Sequence, residues 1–423
     1  MDDVPGAQAP FERRTLARFG PWLALALAGP LTPATCRRLQ AAFPDPARLF
    51  GALSDAVGTD RSVARRARLA LTAPQGPLTP AHVAALDGSL TRRRVVETLD
   101  WWTADSRRHL VPIDDPCYPP LLRGILDPPP LLYLEGDPAA LAGPSVAVVG
   151  SRDASQAGLE QAQALARDLA ASGLVVVSGL ALGTDGAAHA GALDGSLPGG
   201  GPPTLAFTGT GPDIVYPRRH RRLAAAVLER GGAIASEFPL RHPPQPWCFP
   251  QRNRLISGAS LGVVVIEAAL PSGTLTTARH ALDEGREVMA VPGAVDNPRS
   301  AGCHALIRDG AALVTSAADV LRVLAVPLRR ALDDDTSARP RPTTARTVMP
   351  ASARTRDGDT TSERVWTALD AGSATLERLV SRSGLDVPAL LAALGALELA
   401  GRVVVERDGR YARCTDDRGR AVP

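Results

Sequence analysis

A chain of 423 residues, 45% hydrophobic and 22% charged, carries enough apolar material for about three domains of roughly 150 residues, and such a composition excludes a collagen-like, disulfide-stapled or wholly disordered protein. All 47 basic residues are Arg, so a Walker A loop, a pyridoxal Schiff base and a lysine nucleophile are excluded. A net charge of +3 permits nucleic-acid binding without demanding it, and five scattered cysteines (Cys36, Cys117, Cys248, Cys303, Cys414) with no CxxC exclude a zinc ribbon and suit a reducing, cytoplasmic compartment.

The first hundred residues read as helix. Arg13, Arg14 and Arg18 ahead of the apolar run from Trp22 to Ala28 imitate a signal peptide, but Gly29 and Pro30 end that run after seven residues, so it is read as part of the fold. No run reaches the ~18 apolar residues of a membrane span. Leu39, Phe43, Leu49, Phe50, Leu53, Val63, Leu69 and Leu71, punctuated by Pro44, Pro46, Pro74 and Pro77, predict a small helical domain over 1–108, of the SAM or helix-hairpin-helix kind. Its segment AGPLTPATCRRL lacks the GxG turn of a DNA-gripping hairpin. Between His109 and Pro138 the prolines forbid long helices and predict an extended connector.

From Ser145 to Val323 the apolar runs SVAVV, GLVVVS, TLAFT, GAIAS, LGVVVIE, EVMAVP and AALV alternate with helical stretches. That pattern predicts a doubly wound, mostly parallel α/β sheet buried on both faces, a Rossmann-like core over 109–326. Residues 327–361, rich in Arg, Asp, Pro, Ser and Thr, read as a disordered linker. Three helical stretches and a hairpin turning at Asp408 and Gly409 then predict a winged helix over 362–423. Its third helix, from Val387 to Ala400, has no Arg, Asn or Gln to read a base edge, so it reads as a packing surface and a sequence-specific regulator is disfavoured.

The candidate chemistry gathers after the strands, where open α/β sheets place their ligands. Gly150, Ser151 and Arg152, with the amides opening the next helix, could take a phosphate, but GSRDASQAG is no GxGxxG, which disfavours a dinucleotide cofactor. Ser178 and Gly179 end the second strand, and Asp185 and His189 beyond them read as a cap and a packed histidine rather than an acid/base pair. Arg218, Arg219, Arg221 and Arg222 around His220 oppose a helix dipole and so want an anion. Arg252, Asn253 and Arg254 beside Trp247 and Phe249 suit a single strand, gripped by phosphate contact and base stacking. Ser272, Gly273, Thr274 and Thr276 make a second set of hydroxyls and amides for phosphate. No metal site, cofactor or catalytic residue is expected.

The blocks AVVGSR, SGLALGTDGAAH, GTGPDIVYP, SEFPL, FPQRNRLISG, VVVIEA, SGTLTTARHALDEGREVMAVPG and LIRDGA, in this order, closely resemble the DNA-processing protein family DprA, also called Smf, from about Asp114 to Val323. The resemblance implies a cytosolic, non-enzymatic protein that binds and shields incoming single-stranded DNA in natural transformation, helps load RecA recombinase, and dimerises through its Rossmann-like domain. It implies a strand-binding pocket that includes Ser151, Arg152, Arg252, Asn253 and Arg254. His220 stands where many relatives have Asn, and Pro271 where they have Lys. The core also looks like a distant cousin of the nucleotide phosphoribohydrolases, but Leu275, Thr276 and Thr277 follow the PSGT segment where those enzymes carry a catalytic Glu, which disfavours hydrolysis.

Overall fold

The computed structural model describes residues 8–413 except 28–32, most of 44–60, most of 73–88, residue 198, and 339–356, 370–371, 400–401 and 406–409. Helices α1 (Gln8–Leu27), α2 (Pro33–Ala42), α3 (Arg61–Thr72) and α4 (Ser89–Thr103) lie in the predicted helical region. Trp22, Leu23, Leu25, Leu39, Leu71 and Val95 pack together, and on Leu110 of β1 (Arg108–Pro112) and Leu131 and Tyr133 of β2 (Leu131–Gly136). The extended connector is therefore two sheet strands. β1 and β2 pair antiparallel, and β2 pairs antiparallel with the strand Ala233–Ser236 further along the chain.

Beyond them β3 (Ser145–Val149), α5 (Gln156–Ala171), β4 (Val175–Ser178), α6 (Thr184–Asp194), β5 (Thr204–Phe207), α7 (Arg221–Glu229), β6 (Ala233–Ser236), α8 (Cys248–Ala259), β7 (Gly262–Val265), α9 (Thr274–Asp283), β8 (Glu287–Ala290), α10 (Ala301–Arg308) and β9 (Ala312–Leu313) alternate as the apolar runs predict. Successive side chains of a strand point to opposite faces, so an unbroken apolar run feeds two cores at once. Ala147, Val149, Val263 and Val265 pack with Leu255 and Ile256 of α8. Val146, Val148 and Val264 pack with Leu165, Ala166 and Leu169 of α5. The sheet order is β1-β2-β6-β5-β4-β3-β7-β8-β9, parallel from β6 to β9. The order reverses between β3 and β7, so the connections leaving their carboxyl ends diverge and open a crevice there.

Helix α11 (Ala317–Ala338) runs through Pro327, where continued burial of Leu321, Leu324 and Leu328 offsets the lost backbone bond. The segment expected as linker is thus helical to Ala338, and 339–356 lie outside the described residues. The winged helix is built from α12 (Asp357–Ala368), α13 (Leu376–Ser383), α14 (Val387–Leu399) and the pair β10 (Val403–Val405) and β11 (Tyr411–Arg413). The turn at Asp408 and Gly409 lies outside the described residues. Leu390, Leu394 and Leu397 of α14 form the module's own core, while Val387 and Leu391 join Leu321 and Leu324. The Val387 N–H donates to Ser172 O at 3.3 Å, and Arg329 pairs with Glu398 at 3.3 Å. The module therefore sits at the far end of α5, about 24 Å from that helix's start at 1.5 Å per residue.

Candidate nucleic-acid interface

The crevice between β3 and β7 holds an open pocket of about 740 Å³, lined by Gly150, Ser151 and Arg152, by Arg252 and Asn253, by Ser272, Gly273 and Thr274, and by Asp185, Tyr216 and Phe249. Chain segments far apart in sequence meet there, and hydrogen bonds tie them. Thr274 Oγ1 donates to Gly150 O at 2.9 Å, Thr184 N–H donates to Ser151 O at 3.1 Å, and Asn253 Nδ2 donates to Thr276 Oγ1 at 3.1 Å. Gly150 is needed for close approach, because a Cβ would stand 2.5 Å from Thr184 Oγ1. The exposed Arg152 guanidinium lies over the Phe249 ring, 5.2 Å from its centroid, and Tyr216 packs on Phe249 at 5.5 Å.

Arg252 lies at the floor, 3% exposed, with Nη1 donating to Phe207 O at 3.1 Å. Burial brings its guanidinium down to about 10, with Asp185 holding the charged form and Arg152 opposing it. Burial in turn pushes the Asp185 carboxyl above the usual carboxylate range, against the pull of Arg252 and the amides of Ala181 and Gly179. Its Oδ2 accepts from Gly179 N–H at 3.1 Å. The floor thus sets a buried guanidinium within electrostatic reach of a buried carboxyl, and the exposed guanidinium of Arg152 is on the rim.

Several expected residues lie elsewhere. Two positions along a helix is a turn of about 200°, so Arg254 points away from Arg252. It is bound to Asp127 at 2.9 Å and Glu237 at 2.6 Å, beside a separate cleft of about 270 Å³ lined also by His242 and Trp247. Ser178 is fully buried, and its Oγ donates to Val148 O at 2.7 Å, joining β4 to β3. Gly179 lies beneath the pocket and leaves room for Arg252. Arg218 and Arg219, on a short 3₁₀ turn, are exposed beside Tyr216 and do not line the pocket. Two of the amides at the start of α5 are already engaged: Gly158 N–H donates to Ser155 Oγ at 3.0 Å, and Ser155 N–H donates to the Glu267 carboxylate at 2.8 Å.

His189 is a packed residue, as expected. Its Nε2 accepts from Leu180 N–H at 3.3 Å and its Nδ1 meets Thr204 Oγ1 at 2.7 Å. Burial holds its pKa down at about 3, so the ring stays neutral. Tyr216, Asp185 and Glu267 are the site residues that sequence reasoning missed or read otherwise. The phenol of VYP beside an Arg cluster was a usable signal, whereas Asp185 and Glu267 carry none outside the tertiary structure. Among the described residues no cluster of His, Cys, Asp or Glu is arranged to hold a metal, and no helix is long and apolar enough to cross a membrane.

The family model for DNA recombination-mediator protein A matches residues 109–325, and that for the DprA winged helix domain matches residues 349–409. Protein Smf of Escherichia coli is 47% identical over 232 residues, covering 55% of this chain and 61% of that protein. DNA processing protein DprA of Streptococcus pneumoniae is 44% identical over 207 residues, 49% of this chain and 71% of that protein. The crystal structure of the pneumococcal protein superposes with a TM-score of 0.53 at 32% identity, covering 70% of this chain and 95% of that one. With the sheet order, the crevice and these matches in agreement, the chain belongs to the DNA recombination-mediator protein A (DprA, or Smf) family.

Proposed function

We propose that the crevice between β3 and β7 binds single-stranded DNA without reading its sequence. The observation that carries this is Arg152 lying over Phe249 on the rim of an open pocket. A guanidinium for phosphate and aromatic faces for bases are what a single strand offers partners for, whereas a duplex hides its bases. Ser151, Asn253, Ser272, Gly273 and Thr274 supply further polar groups around it, and the exposed Arg218, Arg219, Arg221 and Arg222 extend a basic surface from Tyr216.

On this reading the protein has a DNA-processing role, as the names of its relatives state for them. It acts in the cytoplasm by binding rather than by chemistry, shields incoming strands in natural transformation, and helps load RecA, working as a homodimer through the Rossmann-like core. Fluorescence anisotropy with a labelled single strand and the matching blunt duplex tests the central step. The single strand should bind more tightly, with and without chelator, with log affinity falling by about 0.7 per phosphate engaged for each tenfold rise in salt. Equal affinity for the duplex would refute the reading.

A further inference from the structure

The start of α5 is where Rossmann-like folds seat a phosphate, because the free amides and the helix dipole there attract negative charge. In this chain a carboxylate from the segment after β7 sits at that place. Glu267, just beyond β7 and 7% exposed, accepts hydrogen bonds from Ser155 N–H at 2.8 Å and from Ser155 Oγ at 2.7 Å. Ser155 Oγ in turn accepts from Gly158 N–H at 3.0 Å. The seat is shaped to the carboxylate, since a Cβ at Gly158 would stand 2.7 Å from Glu267 Cδ. From the other side Arg299 donates to Asp153 O and to its carboxylate, both at 2.6 Å. Arg152 precedes both anchors on the stretch of five residues from Ser151 to Ser155, whose first residue is held by Thr184 N–H donating to Ser151 O at 3.1 Å.

We propose that Glu267 is a positioning residue of the strand-binding site: its carboxylate stands in for a phosphate at the start of α5, fixes the loop from Ser151 to Ser155, and so presents Arg152 outward over Phe249. The side chain of Arg152, and not the helix end, then meets the phosphates of the strand. A phosphate approaching the helix end would face a carboxylate already seated there. This rests on the strand-binding function proposed above.

The test is a cycle of variants of the full chain, with affinity for a labelled oligothymidylate measured at several salt concentrations. The carboxylate meets the two Ser155 donors with separate oxygens, and a Gln amide has only one oxygen, so Glu267→Gln loses one of the two contacts as they are arranged. Gly158→Ala leaves every charge in place but pushes the carboxylate off its seat. Arg152→Ala should weaken the parent about tenfold or more, the loss of one charge-assisted contact. Glu267→Gln and Gly158→Ala should each weaken it several-fold and lower the salt slope by about 0.7. In either background, adding Arg152→Ala should cost less than about threefold. A full tenfold loss in those backgrounds, with the salt slope unmoved, would show that Glu267 only stabilises the fold and would overturn the proposal. Should Glu267→Gln fail to fold, the Gly158→Ala pair decides. An Arg152→Ala variant that binds like the parent would instead refute the strand-binding reading of this loop, and the positioning role with it.

Discussion

The guanidinium of Arg252 fills the space that a side chain at position 179 would need: a Cβ on Gly179 would stand 1.5 Å from Arg252 Nη1. Gly179→Ala should therefore evict Arg252 from the pocket floor. The expected result is at least a tenfold loss of strand affinity together with about 1–3 kcal/mol of overpacking cost, read by anisotropy and by thermal melting. Unchanged affinity would show that Arg252 takes no part in binding.

Arg254 should behave differently from its neighbour two residues away. Removing it leaves Asp127 and Glu237 without their buried partner, and burial already pushes the Glu237 carboxyl above its ordinary range. Arg254→Ala should cost ~3–5 kcal/mol in denaturant unfolding, while the folded protein keeps the parent's salt slope for DNA. A reduced slope with normal stability would return Arg254 to the strand-binding site.

Stability should fall with rising pH on account of Glu284, just beyond α9. Burial pushes its carboxyl up to about 7, against the pull of Ser257 and Arg286. The folded state therefore holds a proton that the unfolded chain, titrating near 4.5, releases. The stabilisation is complete below about pH 4.5 and is lost as pH climbs to 7. Glu284→Gln should gain ~1–3 kcal/mol over the parent at pH 8 relative to pH 5. Parallel melting curves at the two pH values would contradict this.

The winged helix should be dispensable for strand binding but not for stability. It sits at the far end of α5 from the Arg152 loop, yet Val387 and Leu391 cover Leu321 and Leu324 of α11. Truncation after Ala338 should leave strand affinity within a few-fold and lower the melting temperature by several degrees, because those leucines become exposed. A tenfold loss of affinity would give the module a direct hold on DNA.

The buried strands and their order of appearance were legible without coordinates, because continuous apolar runs such as SVAVV and LGVVVIE have only one way to bury both faces. The GSR and PSGT loops could be assigned to one edge for the same reason, since parallel strands leave all their carboxyl ends together. The packing character of α14 followed from its lack of Arg, Asn and Gln, and the membership of the family from the order of its motifs.

Tertiary structure alone decided which arginine of the RNR block faces the crevice, because helix rotation is set by what packs on the other side, here Asp127 and Glu237. It also turned the proline-rich connector into two sheet strands and seated the winged helix against α11. Above all it placed Glu267 at the start of α5, 112 residues from Ser155. Local sequence specifies which backbone groups a helix end leaves free; which group satisfies them depends on what the fold brings there, and no spacing in the chain encodes that distance.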